Sequence, residues 1–397
     1  MQDQLIHSFE KELSSILNYW SKYAIDKHFG GFLGAVDNQN NSIKEAPKGS
    51  VLNARILWSF SAGYNFNQNK EYLEIAHKSF SYIKQYFIDE EYGGVYWSVD
   101  YAGKPLDTKK QIYALSFTIY GLTEYFKATL DKRALELSIS LYQTIEKYSY
   151  DDENEGYIEA LNRNWQTIDD FRLSEKDVNE KKTMNTHLHI LEAYTNLYRF
   201  WPYNKLKQQI ENLLNVFSNH IIDKHTKHLI LFFNENCQTN HNIFSYGHDI
   251  EASWLLLEAA EVINNNSLIK KFKKLALDMT IAASEGLDAR GGMNYEFNLN
   301  NNHKINEKHW WVQAEAMVGF LNAYQLTNNQ LYYHHFLAVW GFTQKHIIDN
   351  EKGEWFWGVK EDFSLMDGED KVGFWKCPYH NSRACIEIIH RLKSLSS

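Results

Sequence analysis

A short aromatic segment returns six times along this chain, and that repetition limits the fold more than any other feature. It reads GFLGAVDN from Gly31, GVYWSVDY from Gly94, GYIEALNR from Gly156, HLILFFNE from His228, GMNYEFNL from Gly292 and EWFWGVKE from Glu354. The interval is about 60–70 residues, at the upper reach of repeat periods. Asp37, Asp100, Asn162, Asn234 and Asn298 follow the alternating stretch in five copies, and Lys360 closes the sixth. Alternation followed by Asp or Asn reads as a short strand entering a tight turn.

Between these segments the apolar residues recur with helical period. Helices are expected near 3–22, 52–65, 71–88, 109–128, 132–148, 183–200, 204–221, 247–264, 267–284, 309–325, 329–346 and 379–393, two per repeat. The helices that follow each strand segment are apolar on nearly every face, as in ILWSFSAGY or IEASWLLLEAA, which marks a buried layer. Their alternates, such as NKLKQQIENLLNVFSNH, carry one apolar stripe and read as an outer layer. First and last repeats lack the polar faces of solenoid caps, so six helical hairpins are expected to close on themselves. The expectation is an all-α (α/α)6 barrel of twelve helices, with short β-hairpins at one rim, as a single catalytic domain over residues 1–397.

Composition excludes several classes of function. The net charge of −9 gives no electrostatic footing for nucleic acid. Three cysteines, Cys237, Cys377 and Cys385, cannot all pair and show no CxxC spacing, which argues against a disulfide framework or thiolate metal site. The first residues carry acids where a secretory signal would need a basic end, and no stretch approaches a membrane span; a cytoplasmic monomer is expected, with no membrane partner. Neither GxGxxG nor a P-loop occurs. The 12 Trp and 25 Tyr suit a sugar partner, whose apolar ring faces stack on aromatic rings.

The buried helices should lack charge, yet each has a polar or ionisable residue near its start. These are Arg55, Tyr113, Asn185 with His189, His248 with Glu251, Trp311 with Glu315, and His380. Burial of such groups is costly unless they are paired or functional. Six helix starts converge on one end of a barrel, where free N–H groups also favour developing negative charge. Asn185 and His189 (i, i+4) share a helix face, as do His248 and Glu251 (i, i+3). His187 and His189 (i, i+2) point apart. A metal site on His248-Asp249-x-Glu251 would have only one histidine, and no metal or other cofactor is expected.

These residues also carry a resemblance. NARILWSF at 53–60, TMNTHLHILEAYTNLYR at 183–199, SYGHDIEASWLL at 245–256, HWWVQAEAMVGFLNAYQ at 309–325 and WKCPYHNSRACIE at 375–387 resemble the N-acylglucosamine 2-epimerase superfamily, and within it the cellobiose 2-epimerases. The likeness runs nearly end to end. It implies a cofactor-independent isomerase on an (α/α)6 barrel, with Arg55, Tyr113, Asn185, His189, His248, Glu251, Trp311, Trp375 and His380 at family active-site positions. The implied reaction interconverts reducing-end glucose and mannose in β-1,4-linked disaccharides through an opened ring and a cis-enediolate. Under that reading His248 and His380 exchange the C2 proton, His189 helps ring opening and Arg55 steadies the enediolate. Glu251 orients His248. Tyr113, Asn185, Trp311, Trp375 and Glu315 contact the sugar. Alternatives are a mannose 2-epimerase on free hexose, an aldose–ketose isomerase, an N-acylglucosamine 2-epimerase, a non-catalytic sugar- or protein-binding barrel, and a glycoside hydrolase using Glu251 and Glu315.

Overall fold

The computed structural model describes residues 2–395. Twelve α-helices lie within them: α1 (Gln2–Tyr23), α2 (Ser50–Asn67), α3 (Lys70–Tyr82), α4 (Ile112–Thr129), α5 (Lys132–Tyr148), α6 (Met184–Phe200), α7 (Asn204–Val216), α8 (Tyr246–Val262), α9 (Asn266–Ala283), α10 (Trp310–Thr327), α11 (Gln330–Phe342) and α12 (Tyr379–Leu395). All twelve expected helices are present. α3, α7 and α11 continue into one π turn each, at Ile83–Phe87, Phe217–Ile221 and Thr343–Ile347, so the expected lengths are recovered with the last turn widened. α4 begins later than expected, because Lys110–Gln111 is drawn into a strand.

Caps explain the boundaries. The side chains of Asn69, Asp131, Asn265 and Asn329 accept hydrogen bonds from the first turns of α3, α5, α9 and α11. α2, α4 and α10 stop at Gln68, Leu130 and Asn328, each in the left-handed region with its N–H returned to the helix.

The even-numbered helices are buried on nearly all sides. Each packs on the next, α2 on α4 and so on to α10 on α12, and α12 packs back on α2. α3, α5, α7, α9 and α11 each cover the even helix before them, and α1 covers α12.

The strand segments form small antiparallel sheets, and their pairing differs from expectation. Most are not hairpins. Lys48–Gly49, just before α2, pairs with Ser98–Val99 of the following repeat; Lys110–Gln111 pairs with Ala160–Leu161, Lys182–Thr183 with Phe232–Phe233, Ile243–Ser245 with Glu296–Asn298, and Lys308–His309 with Gly358–Val359. A bridge between Val36 and Val372 joins first repeat to last. True hairpins occur at 98–107 and 296–305. Inter-repeat pairing satisfies backbone groups beside the starts of five even helices, α2 to α10.

A second repeat underlies the first. Lys48, Lys110, Lys182, Lys308 and Lys371 reach back to Asp26, Asp89, Asp151, Asp288 and Asp349 at 2.8, 2.8, 2.8, 3.1 and 2.6 Å. Each pair ties the segment before an even helix to the turn that opens its own repeat. In the fourth repeat Phe244 takes the lysine position, and the His228 ring stacks on it at 3.7 Å.

Candidate active site

A cavity of about 760 Å³ opens where the even helices begin. Arg55, Tyr113, Asn185, His189, His248, Glu251, Trp311, Trp375 and His380 all line it. The six helices thus bring together eight of the ten residues expected to form the site, and the segment before α12 adds a ninth, Trp375. The exception is Glu315. It is fully buried behind His380, with Oε1 2.7 Å from His380 Nδ1, so it supports the histidine and does not line the cavity.

Arg55 lies in the second turn of α2 and is 4 % exposed. None of its partners is a carboxylate: they are the Tyr113 hydroxyl at 2.7 Å, the Cys377 sulfur at 3.7 Å, and the Phe117 ring 4.0 Å beneath the guanidinium. Its Nε is buried without a partner. A desolvated cation with no carboxylate partner strongly favours negative charge that forms beside it.

The three histidines are kept uncharged. Burial lowers His189, and Arg55 and Arg383 add to this against the pull of Glu192, whose Oε2 lies 2.9 Å from His189 Nδ1. Burial and the neighbouring His189 bring His248 down to about 3. Burial, Arg55 and Arg383 put His380 well below its ordinary value. Neutral imidazoles can accept protons. The contacts of His189 and His380 with carboxylates place the proton on Nδ1 and leave Nε2 as the acceptor. His248 Nδ1, by contrast, is buried without a partner, and its ring packs 4.7 Å from Trp311. Trp311 is also 5.8 Å from the His380 ring. Gly247 permits this packing, since a Cβ there would stand 2.6 Å from the Trp311 ring.

Glu251 corrects another expectation. It does not orient His248. Its Oε1 accepts from Arg383 at 2.7 Å and lies 3.9 Å from His380 Nδ1. Burial and the adjacent Glu315 push it well above the usual carboxylate range. Arg383 is the hub beneath the cavity, bonding Glu192, Glu251 and Glu315 from α6, α8 and α10. Against its burial, Arg383 and His189 hold Glu192 at about 2. Oxygen and nitrogen atoms of Glu251, Glu315 and His380 approach within 4.8 Å, as in a cation site, but the Arg383 guanidinium already bonds both carboxylates. The same geometry removes these two acids as a hydrolase pair, which must stand across a cleft roughly 5–9.5 Å apart with the glycosidic bond between them.

Asp249, beside His248, turns away to His228 Nδ1 at 2.6 Å and the Leu229 N–H at 2.7 Å. His187 likewise points away from the cavity, contacting the Thr183 carbonyl and the Tyr157 N–H. The sequence reading missed Arg383, Glu192 and Tyr379, although Arg383 and Glu192 each sit three residues after a site histidine. It also gave no role to the segment between Leu161 and Lys182, from which Leu173, Ser174, Glu175, Lys176, Asp177 and Val178 line the mouth. The unusual length of that connection was the available signal.

Residues 30–384 match the family model for N-acylglucosamine 2-epimerase (GlcNAc 2-epimerase). The chain belongs to the N-acylglucosamine 2-epimerase family. Within it, the chain is 49% identical to a cellobiose 2-epimerase of Bacteroides fragilis over 98% of its length and 100% of that protein. It is 38% identical to one from Dictyoglomus turgidum over 97% of both. The solved structure of cellobiose 2-epimerase from Bacillus thermoamylovorans B4167 superposes with a TM-score of 0.94 at 39% identity, covering 98% of this chain and all of that one. Membership makes the protein an enzyme of the isomerase (epimerase) class, acting on sugars. Among the described residues, no helix is long and apolar enough to cross a membrane.

Proposed function

We propose that this enzyme inverts carbon 2 of the reducing-end hexose in β-1,4-linked disaccharides, converting cellobiose to glucosyl-mannose and lactose to epilactose. The observation that carries the reading is the placement of three buried histidines around one cavity with an arginine that has no carboxylate partner. Names borne by full-length relatives support the substrate class. The series of contacts from α2 through α12 and back supports reading the fold as an (α/α)6 barrel forming one domain over the whole chain. A monomer working in the cytoplasm completes the proposal, and the mass in solution tests its oligomeric part.

Chemistry dictates the sequence of steps. The ring opens, with His189 beside the Arg55–Tyr113 pair handling the ring oxygen or O1. The exposed aldehyde acidifies the C2 proton. One of His248 and His380 removes it, the Arg55 cation stabilises the cis-enediolate, and the other histidine, having taken up a proton from water, delivers it to the opposite face while the first releases its proton to water. Glu315 fixes the His380 tautomer, and Glu192 that of His189. Asn185 and Tyr113 bond hydroxyls while Trp311 and Trp375 stack on the sugar faces.

Separate incubations with cellobiose, lactose, mannose and N-acetylglucosamine, followed by product analysis, test the substrate class. Turnover of mannose alone, a ketose product, or released monosaccharide would each replace this reading by a different one. In D2O the product carries deuterium at C2; its absence there rejects proton transfer.

A further inference from the structure

The mouth of the cavity holds charges that the reaction does not use. Glu175, Asp177, Glu296, Glu307 and Glu369 line it, and Lys176 is the one lysine among the lining residues. These acids lie close enough to sense one another. Burial raises Glu296 to about 7, and Asp177 and Glu307 add to this effect while Lys176 opposes it. Burial also raises Asp177 and Glu369. Glu307 is the best compensated, by its 3.1 Å contact with His309. Among the described residues, metal-type convergence occurs only at Glu251, Glu315 and His380. The mouth acids are therefore spread around an opening and not gathered on a point, which suits a broad field and not a coordinated ion.

The inner end of the same cavity carries the opposite charge, Arg55. A disaccharide placed with its reducing end at Arg55 and the histidines puts its second ring among the mouth carboxylates. Neutral hydroxyls tolerate that field. Above about pH 7, where Glu296 has lost its proton, a carboxylate or phosphate on the second ring would face like charges in a site of reduced dielectric, while a protonated amine would be attracted.

We infer that the mouth selects the second ring by charge, admitting disaccharides whose non-reducing sugar is neutral or bears an amine, and rejecting those in which it bears a carboxylate or phosphate. The inference rests on the epimerase reading and extends it to a substrate class, β-1,4-linked amino-sugar disaccharides.

The test compares cellobiose, glucosaminyl-β-1,4-glucose and glucuronosyl-β-1,4-glucose on the full-length enzyme at pH 7.5, at low and high salt. The expected order of kcat/KM is amine at or above neutral, with the uronic acid lower than the amine by about tenfold or more at low salt. Salt narrows the gap. The double variant E296Q/E307Q narrows it as well, measured against cellobiose with the same variant. Equal kcat/KM for the three sugars, with cellobiose turned over normally, overturns the inference. Quenching of tryptophan fluorescence gives an independent reading of affinity, because Trp311, Trp357 and Trp375 line the cavity. No epimerisation of cellobiose would therefore count against the reaction, while the three affinities still decide the charge preference.

Discussion

His380 Nδ1 lies 2.7 Å from Glu315 Oε1, a contact that crosses from α12 to α10 at the floor of the cavity. Arg383 bonds the same oxygen at 2.6 Å. Burial raises Glu315, and Arg383 opposes this by favouring the carboxylate, which fixes which imidazole nitrogen keeps its proton and steadies the imidazolium that forms when Nε2 takes one. Because Glu315 is not on the cavity wall, E315Q is expected to lower kcat by about 10²-fold with little change in KM. Steady-state kinetics separate the two. A rise in KM at unchanged kcat would mean that Glu315 binds sugar after all.

Arg55 makes a different prediction. A lysine keeps the charge but cannot lie flat on Phe117 while bonding Tyr113. R55K is expected to lose about 10²–10³-fold in kcat, the usual cost of a misplaced oxyanion donor, with the fold retained by circular dichroism. Rates within a few-fold of the parent would remove Arg55 from the transition state.

His187 and His189 are two residues apart and have separate functions. His187 accepts the Tyr157 N–H and contacts the Thr183 carbonyl, and Gly156 leaves room for it, since a Cβ there would stand 2.5 Å from its Nε2. H187A leaves a buried donor and acceptor unpaired and is expected to cost about 1–3 kcal/mol in urea unfolding with near-parental kcat. H189A reverses the pattern. Burial holds His187 at about 4, below the ordinary value near 6.5. The unfolded chain therefore takes up a proton that the native chain refuses. Stability from this group is constant above that ordinary value and drains as the pH falls from there towards 4.

Much of this was legible in the sequence, because both fold and site follow from periodicity. Twelve helices follow from apolar spacing, and the site from polar residues at the starts of helices that should be wholly apolar. What the sequence hid was partnership. Glu251 and Glu315 look alike on paper, each three or four residues beyond a site residue. Only packing shows that one lines the cavity, that both turn to Arg383, and that neither orients His248. Strand pairing was hidden for the same reason: the local pattern announces a strand and a turn, while its partner lies in the preceding repeat.

The depressed histidines predict the acid limb of the pH profile. Catalysis needs an unprotonated base. With His248 at about 3 and His380 well below its ordinary value, both stay neutral through the mildly acidic range. kcat/KM is expected to show no fall centred on the ordinary imidazole value and to decline only at lower pH. An inflection near 6.5 would show that the working base titrates as an ordinary imidazole.

The lysine pins make the last prediction. Lys48 and Asp26 are buried 2.8 Å apart, and the lysine also donates to the Gly30 carbonyl. Removing one partner of a buried ion pair leaves an uncompensated charge, at a cost of about 3–5 kcal/mol. K48M should therefore be severely destabilised. Lys110 and Asp89 form an equivalent pair at 2.8 Å, but Arg163 also bonds Asp89, at 2.9 and 3.1 Å. K110M leaves Asp89 with that second cation, so its loss should be clearly smaller. The ordering tests the electrostatic account directly, since both substitutions remove a similar stem from a similar place. The double variant K48M/D26L should recover part of what K48M loses, because no charge is then left buried alone. Urea midpoints of the four proteins decide it, and equal losses in K48M and K110M would show that packing of the lysine stem, and not charge pairing, holds the repeats together.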